Sequence, residues 1–500
     1  MGRHSGWRAA ALVIALICLA PLAAADICST LQAQGVEIER PFSLDYASEL
    51  KNHWSAACGD LRPTCIAYPS STLEVSTIVK ELHNTDGLFA IKSGGHMPNN
   101  GFASIQDGLL LSTRRLDQVI YNPDDETAIV GPGLDWEEAQ KALDDVNSER
   151  TIVGGRLGGV GVGGYMLGGG LSFLSSQYGW AANNVVEFEV VLANGSVVNA
   201  NAQQHPDLFA ALKGGGNNFG VVTSYTLETH PISKVWGGNY VFTADKTPEI
   251  LQAVRDFTEY YPDDKAAIIV TSEHAAVLST WIMFLFYDGP EPPKGVFDNF
   301  TALNPIETTK TWDTYYDLLK NNDFFILQGQ RYTIATETTP LPSKEVGAEV
   351  MQSYYDHWFN MTNTVLDVPG VIGSIALQPM PRTITSKAKA KGGDLLDFPA
   401  DQDYIIIELD FSYAFSASDN KVDAANKNLY HGFENMISGY IEQGVLPDVY
   451  RPLFMNDAYY PQDYWGRMSP ASRDLALKAR KAYDPEKFFQ TRTSGGFRLG

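Results

Sequence analysis

Val153-GGRLGGVGVGGYMLGGG-Leu171 places ten glycines between Gly154 and Gly170, and Lys92-Ser93-Gly94-Gly95-His96 precedes it by about sixty residues. Each glycine costs backbone entropy on folding and gives nothing to a core, so packed helices and strands avoid such density. A loop of this kind lets a ligand touch main chain. Diphosphates suit it, because their oxygens need several converging N–H donors at a distance that a Cβ would obstruct. The histidine at the tip of the earlier turn is a nucleophile left open by its glycine neighbours.

The chain has 500 residues and a net charge of −22, with 37 basic residues against 59 acidic ones. That balance argues against nucleic acid and anionic membrane as partners. Arg3 and Arg8, an apolar run from Ala9 to Ala20, Pro21 and the small residues Ala23-Ala24-Ala25 have the layout of a secretory leader cleaved after Ala25. The apolar core is too short for a membrane span. Sequons at Asn194, Asn299 and Asn360 fit a secreted, N-glycosylated protein. Once Cys18 leaves with the leader, Cys28, Cys58 and Cys65 allow one disulfide and one free thiol. Cys28 with Cys65 is the favoured pair, because it would staple the N-terminal segment to the first strand, and Cys58 with Cys65 stays open. No Cys/His cluster indicates a metal site.

The remaining length of about 475 residues exceeds one core and predicts two or three domains, and the order of strands and helices makes the arrangement α+β. Thr64 to Tyr68 reads as a strand. A capping box Ser71-x-x-Glu74 opens a helix with Leu73, Val75, Ile78, Val79 and Leu82 on its apolar face, and Gly87 ends it. LFAIK then delivers the chain into the histidine turn. From there to His230 the pattern predicts short strands with little helix, including a hairpin turn at Asn194-Gly195. From about Trp236 to Val449, longer alternating strands such as Ser279-TWIMFLFY-Asp288 and Asp403-YIIIELDFSY-Ala414 are separated by amphipathic helical stretches.

Further segments follow in order: Arg62-Pro63-Thr64-Cys65, YGWAANNVVEFEVVLANGSVV from Tyr178, Leu212-KGGGNNFGVVT-Ser224, Phe454-MND-Ala458 and Tyr483-DPEKF-Phe489. With the two glycine segments they resemble the PCMH-type FAD-binding family of vanillyl-alcohol oxidase and p-cresol methylhydroxylase, and within it the berberine bridge enzyme-like oxidases. The resemblance implies a leader over 1–25, a two-subdomain PCMH-type FAD domain over 26–232, and a substrate domain over 233–450 whose antiparallel sheet, flanked by helices, roofs the flavin. Residues 451–500 would return to the FAD domain. It implies FAD bonded through its 8α carbon to the His96 imidazole, a linkage that raises the flavin's redox potential.

By the same resemblance, Ser93, Gly94, Gly95 and His96 hold the cofactor from the first turn. Gly155, Val160, Gly161, Gly163, Gly164, Gly168 and Gly169 do so from the glycine loop. Asn183, Val185, Gly220, Val222 and Asn456 complete the set. The amides of Asn183-Asn184 are equally suited to capping a turn, and the glycines around Gly214 to supporting the next strand. Relatives with a second flavin bond carry cysteine where this chain has Leu157, which has no nucleophile, so a single histidyl bond is expected. Val160 falls at the family's oxygen-access position and resembles oxidases.

Hydride removal from a carbon bearing a hydroxyl needs a base for the O–H proton. Relatives often carry tyrosine two residues before the asparagine of a Tyr-x-Asn motif, and here Phe454 stands there. On the Tyr404–Tyr413 strand, period-2 alternation puts Ile405, Ile407, Leu409 and Phe411 on one face and Glu408 and Asp410 on the other. Glu408 is the first candidate base and Asp410 the second, with a solvated polar face as the alternative for both.

The expected activity is hydride transfer from an alcohol, a lactol or a specialised metabolite to FAD, with dioxygen as acceptor. An oligosaccharide oxidase and an inert flavin-binding homologue remain alternatives. Gly159-x-Gly161-x-x-Gly164 formally matches a dinucleotide fingerprint, but glycine continues to Gly170 where a helix should begin, which argues against a nicotinamide site.

Overall fold

The computed structural model describes residues 22–500. Arg3, Arg8 and the run Ala9–Ala20, which carry the leader expectation, lie outside the described residues. Helix Leu22–Ala33 opens the described chain, and the Cys28–Cys65 disulfide ties it to the first sheet. Cys58 is the free, buried thiol.

The first sheet runs Glu37–Glu39, Cys65–Tyr68, Leu109–Ser112, Phe89–Lys92 in spatial order, its last three strands parallel. Parallel strands need a crossover, and helix Thr72–His83 supplies one from Cys65–Tyr68 to Phe89–Lys92, between which Leu109–Ser112 is later inserted in the sheet. Ser71 Oγ accepts from the Glu74 N–H, while the Glu74 carboxylate accepts from Ser70 N–H, one residue earlier than a capping box requires. Val75, Ile78, Val79 and Leu82 are buried, but Leu73 is 72% exposed. Two residues from Val75 is about 200° of helical rotation, which turns Leu73 away from the core. The helix ends at His83 with Asn84 as its cap, so Gly87 lies beyond it.

The second sheet is antiparallel, in the order Val119–Asn122, Thr127–Val130, Val221–Pro231, Val185–Val191, Val197–Asn201. The hairpin turn at Asn194-Gly195 is present, with Gly195 at φ +75°. The expectation of little helix before His230 is corrected by Trp136–Asn147 and Pro206–Leu212. The first starts from a complete capping box between Asp135 and Glu138 and buries Trp136, Ala139, Gln140 and Leu143 at helical spacing.

The third sheet is the largest and wholly antiparallel. Val235–Thr243, Leu278–Tyr287, Ala266–Ala275, Ile372–Met380, Tyr404–Tyr413 and Arg331–Pro340 are successive neighbours. Helices Thr247–Tyr260, Gly347–Asn363 and Asp419–Glu442 cover one face, where Ile405, Ile407, Leu409 and Phe411 join Val254, Trp358 and Leu429 in one core. The other face is left to line a cavity. The chain end closes back on the first sheet: Phe488 and Phe489 share a core with Phe89, and Ser494 N–H donates to Phe89 O at 2.9 Å.

Candidate active site

A cavity of 640 Å³ lies where the histidine turn, the glycine loop and the open face of the large sheet meet. The two glycine segments touch. A Cβ on Gly94 would stand 2.5 Å from Gly161 Cα, so only glycine permits this approach. Ser93 Oγ locks the contact, accepting from Gly163 N–H at 3.1 Å and donating to Pro132 O. The glycine run does contain a short helix, Val162–Leu167, beginning after Gly161, which corrects the expectation that glycine would exclude one. Asn456 fastens its far end: Oδ1 accepts from Gly170 N–H at 3.3 Å and Nδ2 donates to Tyr165 O at 3.1 Å.

The histidine turn rests on a buried ion pair. Lys92 Nζ lies 2.9 Å from Glu49 Oε1, with the two side chains 1% and 0% exposed, and Ser112 Oγ donates to the same oxygen. Desolvation would raise the Glu49 carboxyl, but Lys92 holds it below its ordinary value. Removing one member of such a pair strands a buried charge. Lys92→Met should therefore cost about 3–5 kcal/mol, read as a lower urea midpoint. Glu49→Leu added to it should recover much of the loss, whereas an unchanged midpoint in the single variant would show the pair to be neutral.

His96 itself lines the cavity. Enclosure pulls its imidazole down to about 4, against a weaker opposing hydrogen bond at the Gly159 backbone, so the ring is neutral at physiological pH. Neutral imidazole has the free lone pair that a nucleophile needs.

The sheet brings carboxyl groups to the same space through its register. Glu273 pairs with Ser374, and Ser374 with Asp410, while Ala376 in the neighbouring row pairs with Glu408. Glu273, Glu408, Asp410 and Asp457 all line the cavity. Burial raises Glu408 well above the carboxylate range, reinforced by Asp457 and Asp410, and raises Asp410 likewise, reinforced by Glu273. Glu273 is pushed to about 7 by burial, although Ser374 Oγ donates to it at 2.6 Å. Asp457 is pushed to about 6, moderated by Gln378, which donates to it at 2.9 Å, and by Arg156, which also bonds Gln378.

Most of the residues expected from sequence share this cavity: all four of the histidine turn, Gly155, Val160, Gly161, Gly163, Gly164 and Gly168 of the loop, with Gly220, Val222, Asn456, Glu408 and Asp410. Gly169, Asn183 and Val185 are not among its lining residues. Asn183 caps a turn instead, Oδ1 accepting from Trp180 N–H and Nδ2 donating to Gly393 O and Asp394. Leu157 and Phe454 line the cavity, and Phe454 stacks on Trp180 at 5.5 Å. Sequence reasoning missed Trp54, Arg156, Glu273 and Tyr332. The alternation that singled out Glu408 applies equally to Ile269, Thr271 and Glu273 and places that acid on one face of its strand, though not beside Glu408.

Residues 63–201 match the model of the FAD binding domain family. An uncharacterized FAD-linked oxidoreductase of Arthroderma benhamiae is 48% identical over 476 residues, which is 95% of each chain. The chain belongs to the FAD-linked oxidoreductases. A bifunctional solanapyrone synthase of Alternaria solani is 30% identical over 478 residues, 94% of this chain and 88% of that one. Berberine bridge enzyme from Eschscholzia californica shares the fold at a TM-score of 0.76 and 19% identity, covering 95% of this chain and all of that one. Xylooligosaccharide oxidase from Myceliophthora thermophila does so at 0.76 and 20%, over 95% and 99%.

The cavity of this FAD-linked oxidoreductase fits its cofactor. Gly164 lines it, and a Cβ there would meet nothing within 4 Å, so its main chain faces open space as a diphosphate site requires. His96 stands neutral in the same cavity. Among the described residues no group of three or more His, Cys, Asp or Glu is placed to hold a metal, and no helix is long and apolar enough to cross a membrane.

Proposed function

We propose that this protein is a secreted FAD oxidase that holds its flavin through a single bond to His96 and removes hydride from a carbon bearing a hydroxyl. The observation that carries the reading is that one cavity contains both the neutral His96 imidazole with the touching glycine loops and the carboxyl groups of the large sheet. FAD, when bound, would supply the hydride acceptor and the chemistry by which dioxygen is reduced to hydrogen peroxide.

The protein's own residues do the rest. Ser93, Gly94, Gly161 and Gly163 fix the main chain that would hold the cofactor. Glu408, in its ionised form, takes the substrate's O–H proton, and Asp410 beside it is the second candidate. Phe454 is apolar and shapes the wall. Ile269, Ile282, Phe284 and Ile334 line the cavity too, which favours a small or medium-sized specialised metabolite over a saccharide, and the likeness to solanapyrone synthase supports that class. The exposed sequons at Asn194, Asn299 and Asn360, the leader-like N-terminus and the disulfide support secretion and N-glycosylation.

The reading is tested by purifying the protein and asking for flavin that survives acid, together with oxygen uptake and peroxide release on a panel of hydroxylated metabolites. Peroxide formation only with oligosaccharides would reassign the substrate class. Val160→Leu should slow reoxidation of the reduced enzyme much more than its reduction, because Val160 lines the cavity and extra bulk there obstructs dioxygen. Stopped-flow timing of the half-reactions separates the two, and equal slowing would make Val160 ordinary packing.

A further inference from the structure

The Gly94-Gly95 pair leaves His96 accessible but gives it no side chain on its own turn to pack against. Gly95 sits at φ +71°, a backbone conformation that favours glycine. An attacking nitrogen must hold one orientation, and the hydrogen bond at the Gly159 backbone is one constraint on the ring. A second constraint, on the plane of the ring, comes from a segment about forty residues earlier. The Trp54 indole lies on the His96 ring with centroids 4.5 Å apart and planes 4° from parallel. Its other neighbour is Tyr332, stacked at 4.0 Å. Trp54 N–H donates to Gly95 O at 3.1 Å, so the same residue grips both the turn and the ring.

The platform is itself anchored to the large sheet. Ala56 N–H donates to Gln330 O at 2.8 Å, and Tyr332 N–H donates to Ser55 Oγ at 3.1 Å. Tyr332 Oη donates to Leu327 O at 2.7 Å, and Leu327 is part of the cavity wall. The imidazole plane is thereby set by the substrate side of the cavity as well as by its own loop.

We propose that Trp54 is the positioning residue for flavin attachment, holding the His96 ring so that a nitrogen lone pair is aimed into the cavity. The inference rests on the reading of His96 as the anchor. Attachment forms an N–C bond between the imidazole and the flavin 8α carbon. The imidazole N–H and one methyl C–H bond break, both hydrogens leave as protons, and the two electrons released pass to dioxygen, which takes up two protons to give hydrogen peroxide.

The test compares Trp54→Leu, which fills space without a ring face, with Trp54→Phe, which keeps one. Apoprotein of each is mixed with FAD under air, and the ratio of acid-stable to total bound flavin is followed by intact mass and absorbance. That ratio counts only protein that binds flavin, so a partly misfolded sample does not distort it. Trp54→Leu should attach flavin roughly tenfold or more slowly, the scale expected when a reacting group loses its orientation, and Trp54→Phe should restore most of the rate. Equal rates in Trp54→Leu and the wild type would overturn the proposal. Loss of all flavin from both variants would overturn it too, because Trp54 would then be a packing residue of the fold. Wild-type protein without acid-stable flavin would instead defeat the reading of His96.

Discussion

His96→Ala should release all of its flavin in acid, leaving a protein band without ultraviolet-excited fluorescence and a mass free of the FAD increment. The expectation follows because the other candidates near the glycine loops are held back from attack: the Tyr165 hydroxyl donates to Gly154 O at 3.0 Å, and burial raises it, so it stays protonated. Leu157 lines the cavity, and it has no lone pair to give. Cys58 lies close in space to the histidine turn, but it is buried, its thiol donates toward the Pro98 and Met97 carbonyls, and burial pushes it up to about 12, so it remains a thiol. Lys92 is held by Glu49. Flavin should still bind without the bond, since Gly94, Gly161 and Gly164 keep their main chain. Covalent flavin in His96→Ala would remove His96 from its role, and the peptide carrying the flavin would name its replacement.

The parts of the site legible in sequence are those where composition departs from what packing allows. Ten glycines in one run have few structural uses, and the histidine turn, the glycine loop and Asn456 do share one cavity. Period-2 alternation over Tyr404–Tyr413 was equally plain, and the sheet buries Ile405 to Phe411 on the helix-covered face while Glu408 and Asp410 line the cavity. Helix signals were weaker where glycine or a late cap obscured them. The Asp135–Glu138 box was present in the sequence, but the surrounding short strands masked it. Leu73 was misplaced by counting an apolar residue without its phase. What sequence could not supply was register across strands distant in the chain. Glu273 reaches the acids of Tyr404–Tyr413 only because Ala266–Ala275 and Ile372–Met380 pair in one frame, and a slip of one residue would turn it to the other face. Trp54 lies in a connecting segment outside any strand, and nothing local connects it to His96.

That register is why the second large effect is expected at Glu408. Ala376 and Thr336 flank Glu408 on the neighbouring strands, so the carboxyl stands between small and hydroxyl-bearing side chains with access to the cavity. Asp410 stands one row away, facing Ser374 and, beyond it, Glu273. Burial first, and then the crowding of Asp457 and Asp410, raises Glu408 above the ordinary carboxylate range, which makes it a stronger base once ionised than an exposed glutamate. Arg156 works against that shift and helps to keep the ionised form available. The sign of the pH dependence follows. The base works only when deprotonated, so flavin reduction should rise with pH through an apparent pKa above the glutamate norm, and that pKa belongs to the cluster of coupled acids. Glu408→Gln keeps the shape and removes the proton acceptor. Flavin reduction by a hydroxylated substrate should fall by about 10² to 10⁴ while covalent flavin content stays at the wild-type level, and the rising limb should disappear from the profile. Asp410→Asn should lose less and retain that limb. If Glu408→Gln reduces flavin at nearly the wild-type rate and Asp410→Asn does not, the proton goes to Asp410, and Glu408 is then the neighbour that tunes it.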